Sequence, residues 1–241
     1  MSHKIPILMY HSITKVPKDS VMRSLHVPPK RFALQMRMLK VLGYKGLSMK
    51  DLHPYLTGEK VGKVVGLTFD DGYRNNLNDA LPVLTKLGFS ATCYLISNKL
   101  GQYNDWDEDK GIARNELMTE NEVFSWLSAG MDIGAHSEHH VDLTTCAPEE
   151  LTREIIGSKQ TLETLFDYPV EHFCYPYGKY NKSVIEATRA AGFTTSTTMK
   201  RGRVIPIESP SLELPRIPVV HHTLPHLFLL KCLSNYEDKR G

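Results

Sequence analysis

Residues 67–73 read LTFDDGY, an apolar run closing on two adjacent carboxylates, Asp70 and Asp71, and then on a glycine. Neighbouring acids repel each other, so both stay ionised only where a positive charge offsets the repulsion. A bound divalent cation meets that need and separates two roles, one carboxylate ligating while the other faces a water molecule as a base. Gly72 permits the tight backbone turn that such a pair needs. Imidazoles able to complete the site occur in HSEHH, at His136, His139 and His140. If the chain coils there, side chains four apart share a face, and so do side chains three apart. Spacing alone therefore leaves the second imidazole open between His139 and His140. One carboxylate oxygen and two imidazole nitrogens, with positions left for water, make the ligand pattern of a catalytic rather than a structural zinc ion.

Taken singly these features are weak. A DDG triplet is an ordinary turn, and a histidine pair is an ordinary surface feature. Their placement along the chain changes the reading. Strand-like runs at IPILMY (5–10), VVGLTF (64–69), FSATCYLI (89–96), MDIGA (131–135), HFCY (172–175), FTTSTT (193–198) and PRIPVV (215–220), mostly apolar apart from the threonine-rich FTTSTT, alternate with helical patterns. Helices are expected over RFALQMRMLKVLG (31–43) and DALPVLTKLG (79–88), each stopped by a glycine. Thr119 and Glu122 form a capping box ahead of VFSWLSAG. Leu151, Ile155, Leu162 and Leu165 stripe one long helix, and Asn181 caps another that Gly192 closes. Strand–helix alternation with buried strands predicts an α/β fold, a parallel β/α barrel of six or seven units forming one domain over residues 1–241.

In such barrels the reactive groups gather beyond the carboxyl ends of the strands. Those positions hold His11, the Asp70–Asp71 pair, His136 with Ser137-Glu138-His139-His140, Pro176-Tyr177-Gly178, and His221-His222. The polar stretch 97–117 is long for a connection and reads equally as a lid or binding loop or as a solvated insertion.

Composition excludes several classes. Twenty-nine basic against 27 acidic residues leave a net +2, which argues against a dedicated nucleic-acid surface. No run approaches the roughly 18 apolar residues of a membrane span, and the apolar stretch before His11 is too short for a secretory core. Cys93, Cys146, Cys174 and Cys232 are scattered without a CxxC, so reduced thiols and a cytoplasmic setting are expected.

TFDDG, HSEHH and FCYPYG, in that order and between matching strands, resemble the polysaccharide deacetylase family, the NodB-homology group of carbohydrate esterase family 4. The likeness runs from about Ile5 to Val220. It implies a distorted (β/α)7-type barrel and a metal-dependent hydrolase that removes N-acetyl groups from an amino sugar or an N-acetylated polysaccharide. Asp70 matches the family's general base, and Asp71, His136 and His140 its metal ligands, which decides against His139. Tyr177 matches the tyrosine whose backbone N–H meets the oxyanion. The implied cofactor is a divalent metal, Zn²⁺ first, with Co²⁺, Ni²⁺, Mn²⁺ or Fe²⁺ as alternatives. The implied partner is a carbohydrate, with no nucleic acid and no transmembrane segment.

Two departures from the family pattern stand out. The usual arginine two positions before the motif proline is replaced by Cys174, and Arg216 in LPRIPV is the candidate substitute from another strand. The late motif that carries the family's acid histidine has no clean C-terminal match, whereas ILMYHSI at the N-terminus does fit. The chain thus looks like the circularly permuted subgroup similar to poly-N-acetylglucosamine deacetylases, with the last strand moved to the front. His11 is then the general acid, and His221 or His222 the fallback. Two other readings share the scaffold: hydrolysis of another amide or an O-acetyl ester, and a decayed carbohydrate-binding protein.

Overall fold

The computed structural model describes residues 4–16, 18 and 20–241. Eight parallel strands form the sheet: β1 (Ile7–Tyr10), β2 (Lys45–Leu47), β3 (Val64–Phe69), β4 (Thr92–Leu95), β5 (Asp132–Ala135), β6 (His172–Cys174), β7 (Thr195–Arg201) and β8 (Leu214–Pro218). Their order is β1-β8-β7-β6-β5-β4-β3-β2, and β1 also pairs with β3. Seven strands therefore close on themselves, and β2 stands outside the ring. It pairs with the first half of one β3 edge, from Lys45↔Val64 to Leu47↔Gly66, while β4 takes the second half, Thr68↔Thr92 and Phe69↔Cys93. The N-terminal strand β1 lies between β8 and β3, beside the last strand of the chain.

Helices α1 (Pro29–Val41), α2 (Met49–Leu56), α3 (Leu81–Leu87), α4 (Glu120–Ser128), α5 (Pro148–Thr152), α6 (Ser158–Phe166), α7 (Lys182–Ala190) and α8 (Pro225–Leu233) complete the chain. Both predicted caps form: Thr119 and Glu122 make the reciprocal capping box of α4, and the Asn181 side chain accepts the Val184 N–H at the start of α7. No helix among the described residues is long and apolar enough to cross a membrane.

Alternation along the strands sets what faces inward. Val65, Leu67 and Phe69 of β3 belong to the main apolar core with Phe32 and Trp126, as do Ile133, Ala135 and Phe173. Gly66, Thr68 and the following Asp70 therefore face the barrel interior, and so do His136, Cys174 and Arg216 after or within their strands. The interior is tightly filled: a Cβ on Gly134 would come within 2.5 Å of the Tyr94 ring.

Several elements differ from expectation. The strand expected from Ile5 begins at Ile7, while Ile5 pairs antiparallel with Val204. The helix striped by Leu151, Ile155, Leu162 and Leu165 is interrupted by a π-turn at Arg153–Gly157 between α5 and α6. A second π-turn, Asn76–Ala80, precedes α3. β2 and α8 carry no clear periodic signal, since β2 has three residues and α8 is apolar on most sides. α2 was not anticipated although Met49, Leu52 and Leu56 recur at helical spacing behind Ser48, with Pro54 among them.

Candidate active site at the barrel mouth

The predicted groups converge at the carboxyl end of the barrel, in a cavity of about 430 Å³ lined by His11, Asp70, Asp71, His136, His140, Tyr177 and Arg216 among others. His136 follows β5 directly, and its Nε2 lies 3.4 Å from Asp71 Oδ1. His140 Nε2 lies 3.5 Å from the same oxygen. All three side chains are buried. Two ligands on a tetrahedral ion with bonds of about 2.0–2.1 Å stand about 3.3 Å apart, so this spacing fits a divalent metal. The imidazole orientation fits as well. His136 Nδ1–H donates to the Cys174 carbonyl at 2.7 Å, which aims Nε2 at Asp71 as the atom that would face a metal.

The approach of His136 and His140 does not come from a helical coil. The turn after β5 is made by Ser137 and His140, both in the left-handed region at φ 64° and 61°. The His140 N–H is tied back to the Ser137 hydroxyl at 2.9 Å. His139 points elsewhere and donates to Glu154 Oε1 at 2.7 Å. Glu154 is itself buried in the π-turn and accepts the backbone N–H groups of Glu138 and His139, each at 3.0 Å. The π-turn thus holds the histidine loop from below, as wide turns often do beside functional sites. Gly157 in the same turn makes room for Glu138, whose Oε1 would lie 2.2 Å from a Cβ there.

Asp71 and Tyr177 also adopt left-handed backbone, at φ 73° and 57°. Four of the seven such non-glycine residues among those described are therefore Asp71, Ser137, His140 and Tyr177. Each costs about 1–3 kcal/mol and persists only where the surroundings over-determine it. The expectation placed the whole turn on Gly72; in fact Asp71 and Gly72 share it, and Leu95 packs where a Gly72 Cβ would sit.

Asp70 faces a different partner. Arg216 Nη1 donates to Asp70 Oδ1 at 2.7 Å and Nη2 to Oδ2 at 2.8 Å. The guanidinium also reaches Thr68 Oγ1, the Thr198 carbonyl through Nε at 2.9 Å, and Cys174 Sγ at 3.2 Å. A register shift in β7 between Thr197 and Arg201 interrupts the ladder beside that carbonyl. The arginine thus comes from β8, and the thiol of Cys174 lies against it.

Electrostatics follow from these contacts. Burial works against an ionised Asp70, but Arg216 and His11 outweigh it and hold the carboxyl below its usual range. Burial likewise opposes ionisation of Asp71, whereas the His136 hydrogen bond and nearby imidazoles hold it well below. His140 is pushed down to about 3 by burial and by His136, so it is neutral and able to ligate near pH 7.

His11 Nε2 stands 3.8 Å from Asp70 Oδ2. The His11 carbonyl accepts from Asn76 Nδ2 at 2.8 Å, which fixes the residue after β1. His221 lies behind it and donates through Nδ1 to the His26 carbonyl at 3.0 Å, while His222 lines a neighbouring groove instead. The sequence reading missed His26, which also lines the cavity; burial and the nearby His11 and His221 lower its pKa to about 4. Trp106 was missed too, although the stretch 97–117 had been singled out. Its ring lies 4.7 Å from that of His140, which Tyr177 approaches from another side at 4.5 Å. Asn104, Asp107 and Ile112 from the same stretch reach the cavity. Its returning arm is fastened to the DDGYR segment, with Met118 N–H donating to Gly72 O and Arg74 N–H to Glu116 O, both at 2.9 Å. Tyr73, a third omission, is buried within hydrogen-bonding reach of both Asp71 and Asn104.

A sequence profile of the Polysaccharide deacetylase family matches residues 57–196. The Bacillus subtilis protein YxkH, named for the same family, is 33% identical over 201 residues, covering 83% of this chain and 66% of that protein, so under two-thirds of its length is spanned. The poly-β-1,6-N-acetyl-D-glucosamine N-deacetylase of Staphylococcus epidermidis is 25% identical over 220 residues, 90% of this chain and 75% of its own. Among solved structures, the Streptococcus pyogenes deacetylase PplD in complex with acetate superposes with a TM-score of 0.82 at 27% identity, over 96% of this chain and 99% of that one. Strand order, the residues brought together at the barrel mouth and these matches agree: the chain belongs to the polysaccharide deacetylase family.

Proposed function

We propose that the chain hydrolyses the N-acetyl group of an amino sugar of the N-acetylglucosamine type within a glycan, releasing acetate and leaving a free amine. The observation that carries this reading is the convergence of Asp71, His136 and His140 within ligating distance of one point, beside an acid held separately by Arg216. The relative named for poly-N-acetylglucosamine deacetylation supports the sugar class.

Asp71 Oδ1 and the Nε2 atoms of His136 and His140 hold the ion in this reading. Zn²⁺ is the first candidate, because two imidazoles and a carboxylate suit it. When bound, a divalent ion lowers the pKa of a water molecule from about 15.7 to roughly 7 and polarises the acetyl carbonyl. Asp70 takes the proton of the attacking water as the new C–O bond forms. Arg216 orients the Asp70 carboxylate and keeps it ionised. The Tyr177 backbone N–H donates to the developing oxyanion, a type of contact worth about 3–4 kcal/mol in related acyl-transfer sites. An amine anion leaves poorly, so protonated His11 donates to the nitrogen as the C–N bond breaks. Acetate keeps the water oxygen, and the sugar keeps the nitrogen with its added proton.

The test is acetate release from N-acetylglucosamine oligomers by protein of measured metal content, compared with Asp70→Asn. Turnover that tracks the metal and is lost in the variant supports the reading. Failure to release acetate from any N-acetylated sugar, at full metal occupancy, would reject it.

A further inference from the structure

Beside the catalytic cavity runs a second groove of about 470 Å³, and the two share Met9, Met199, Pro218 and Val220 as a common wall. Four basic-type side chains line it, Arg201, His222, Lys231 and Arg240, and no carboxylate does. Its floor explains how the charge is kept there. Glu237, fully buried beneath the groove, accepts from Arg201 Nε at 2.7 Å and from Lys231 Nζ at 3.0 Å. One carboxylate is thus shared between two cations. Lys231, itself buried, spends a further donor on the Pro218 carbonyl at the end of β8. The bonds found to Arg201 use Nε and Nη2. Arg240 is stacked over the Tyr236 ring at 4.7 Å and bonded to its hydroxyl, which pre-orders the guanidinium at the rim. A cluster of two cations on one acid, extended by a stacked arginine and an imidazole, carries excess positive charge facing open space.

We propose that this groove binds an oxyanion on the sugar next to the one being deacetylated, so that the substrate is an anionic N-acetylated glycan. The inference rests on the deacetylase reading for the location of the reacting sugar. A glycan whose acetamide enters the cavity and whose chain crosses the Met199–Val220 wall delivers its neighbouring unit to Arg201, Lys231 and Arg240. Carboxylate and phosphate ester share the recognising chemistry, a planar or tetrahedral oxyanion on guanidinium and ammonium donors. The same charge disfavours a neighbour that already carries a free ammonium, so stretches already deacetylated are rejected.

Equilibrium binding by ligand-observed NMR tests this with four probes on the metal-loaded full chain. Hyaluronan tetrasaccharide is compared with neutral chitotetraose for the carboxylate arm, and N,N′-diacetylchitobiose carrying a 6-phosphate on one unit with unmodified N,N′-diacetylchitobiose for the phosphate arm. At about 0.05 M NaCl at least one anionic probe is expected to bind about fivefold or more tightly than its neutral counterpart, and near 0.5 M the advantage shrinks towards unity. Arg240→Gln combined with His222→Gln, both exposed side chains, is expected to reduce that ratio several-fold while thermal melting confirms the fold. Whichever arm shows the advantage names the anion. Equal binding of charged and neutral probes in both arms, or a preference that the double variant leaves intact, overturns the inference. Acetate appearing in the same tubes reports on the deacetylase reading separately, so either conclusion can fail alone.

Discussion

Arg216 and Asp70, 146 residues apart, meet as a buried two-pronged pair in which each guanidinium nitrogen takes one carboxylate oxygen. The side chain that supplies the arginine stands on β8, while the position that usually supplies it, on β6, carries Cys174 against the same guanidinium. The site therefore keeps the contact and changes its source. Removing the arginine leaves a buried carboxylate unpaired, which costs about 3–5 kcal/mol. Arg216→Ala is expected to lower thermal stability and to lose at least about 100-fold in turnover, since carboxylate orientation is lost with the charge. Arg216→Lys restores charge but not the fork, and should recover little. Introducing Cys174→Arg into Arg216→Ala should return part of the activity, measured as acetate release. A double variant no better than Arg216→Ala would show that the β8 origin itself is required.

Metal content separates the two histidines that spacing could not. His140 faces Asp71, whereas His139 is bonded to Glu154 and is the most exposed of the HSEHH histidines. His136→Ala and His140→Ala are each expected to purify with little bound metal, and His139→Ala with a ratio near that of the unaltered chain. Elemental analysis after dialysis decides it. Loss of metal in His139→Ala alone would move the second ligand.

Tyr73 lies within hydrogen-bonding reach of both the candidate ligand Asp71 and Asn104 on the 97–117 loop. Groups behind a ligand typically contribute a factor of 10–100 in affinity or activity. Tyr73→Phe keeps the buried ring and deletes only the hydroxyl. Roughly tenfold weaker metal binding, read by competition with a chelating dye, is the expected result. An unchanged affinity would assign Tyr73 to loop packing alone.

How much of this was legible follows from where each signal resides. Asp70 and Asp71 were readable because the apolar run VVGLTF leads straight into them and the other strands of the ring lie on strand-like runs, β7 being the one that is threonine-rich rather than apolar. Arg216 was half readable: the missing arginine at Cys174 posed the question, and LPRIPV on another strand offered an answer. His26, Tyr73 and Trp106 were not, because each reaches the cavity from segments without periodicity, held by tertiary bonds such as Met118 to Gly72. The His136–His140 pairing was anticipated for an inexact reason, since two left-handed residues rather than a helical turn bring them together. α8 escaped notice because its leucines run round the helix, Leu230 and Leu233 on the exposed side, so the buried face of Phe228, Lys231 and Cys232 does not stand out as an apolar stripe.

The barrel interior holds one further acid whose state governs stability rather than chemistry. Asp132 at the start of β5 is buried, accepts from Thr92 Oγ1 at 2.5 Å and from the Tyr168 hydroxyl at 3.0 Å, and has its pKa raised by burial to about 6. In the unfolded chain the group titrates near 3.9. Between those values the folded state binds the extra proton, so stability is greatest below the lower pKa and declines as pH rises through about 6. A shift of about two units corresponds to about 3 kcal/mol. Asp132→Asn removes the titration while keeping an acceptor for Tyr168, so the variant should gain stability relative to the unaltered chain as pH climbs from about 4 to about 7. Urea unfolding at several pH values gives the difference directly. A gap between the two proteins that stays constant with pH would mean that Asp132 titrates in the folded barrel as it does in water.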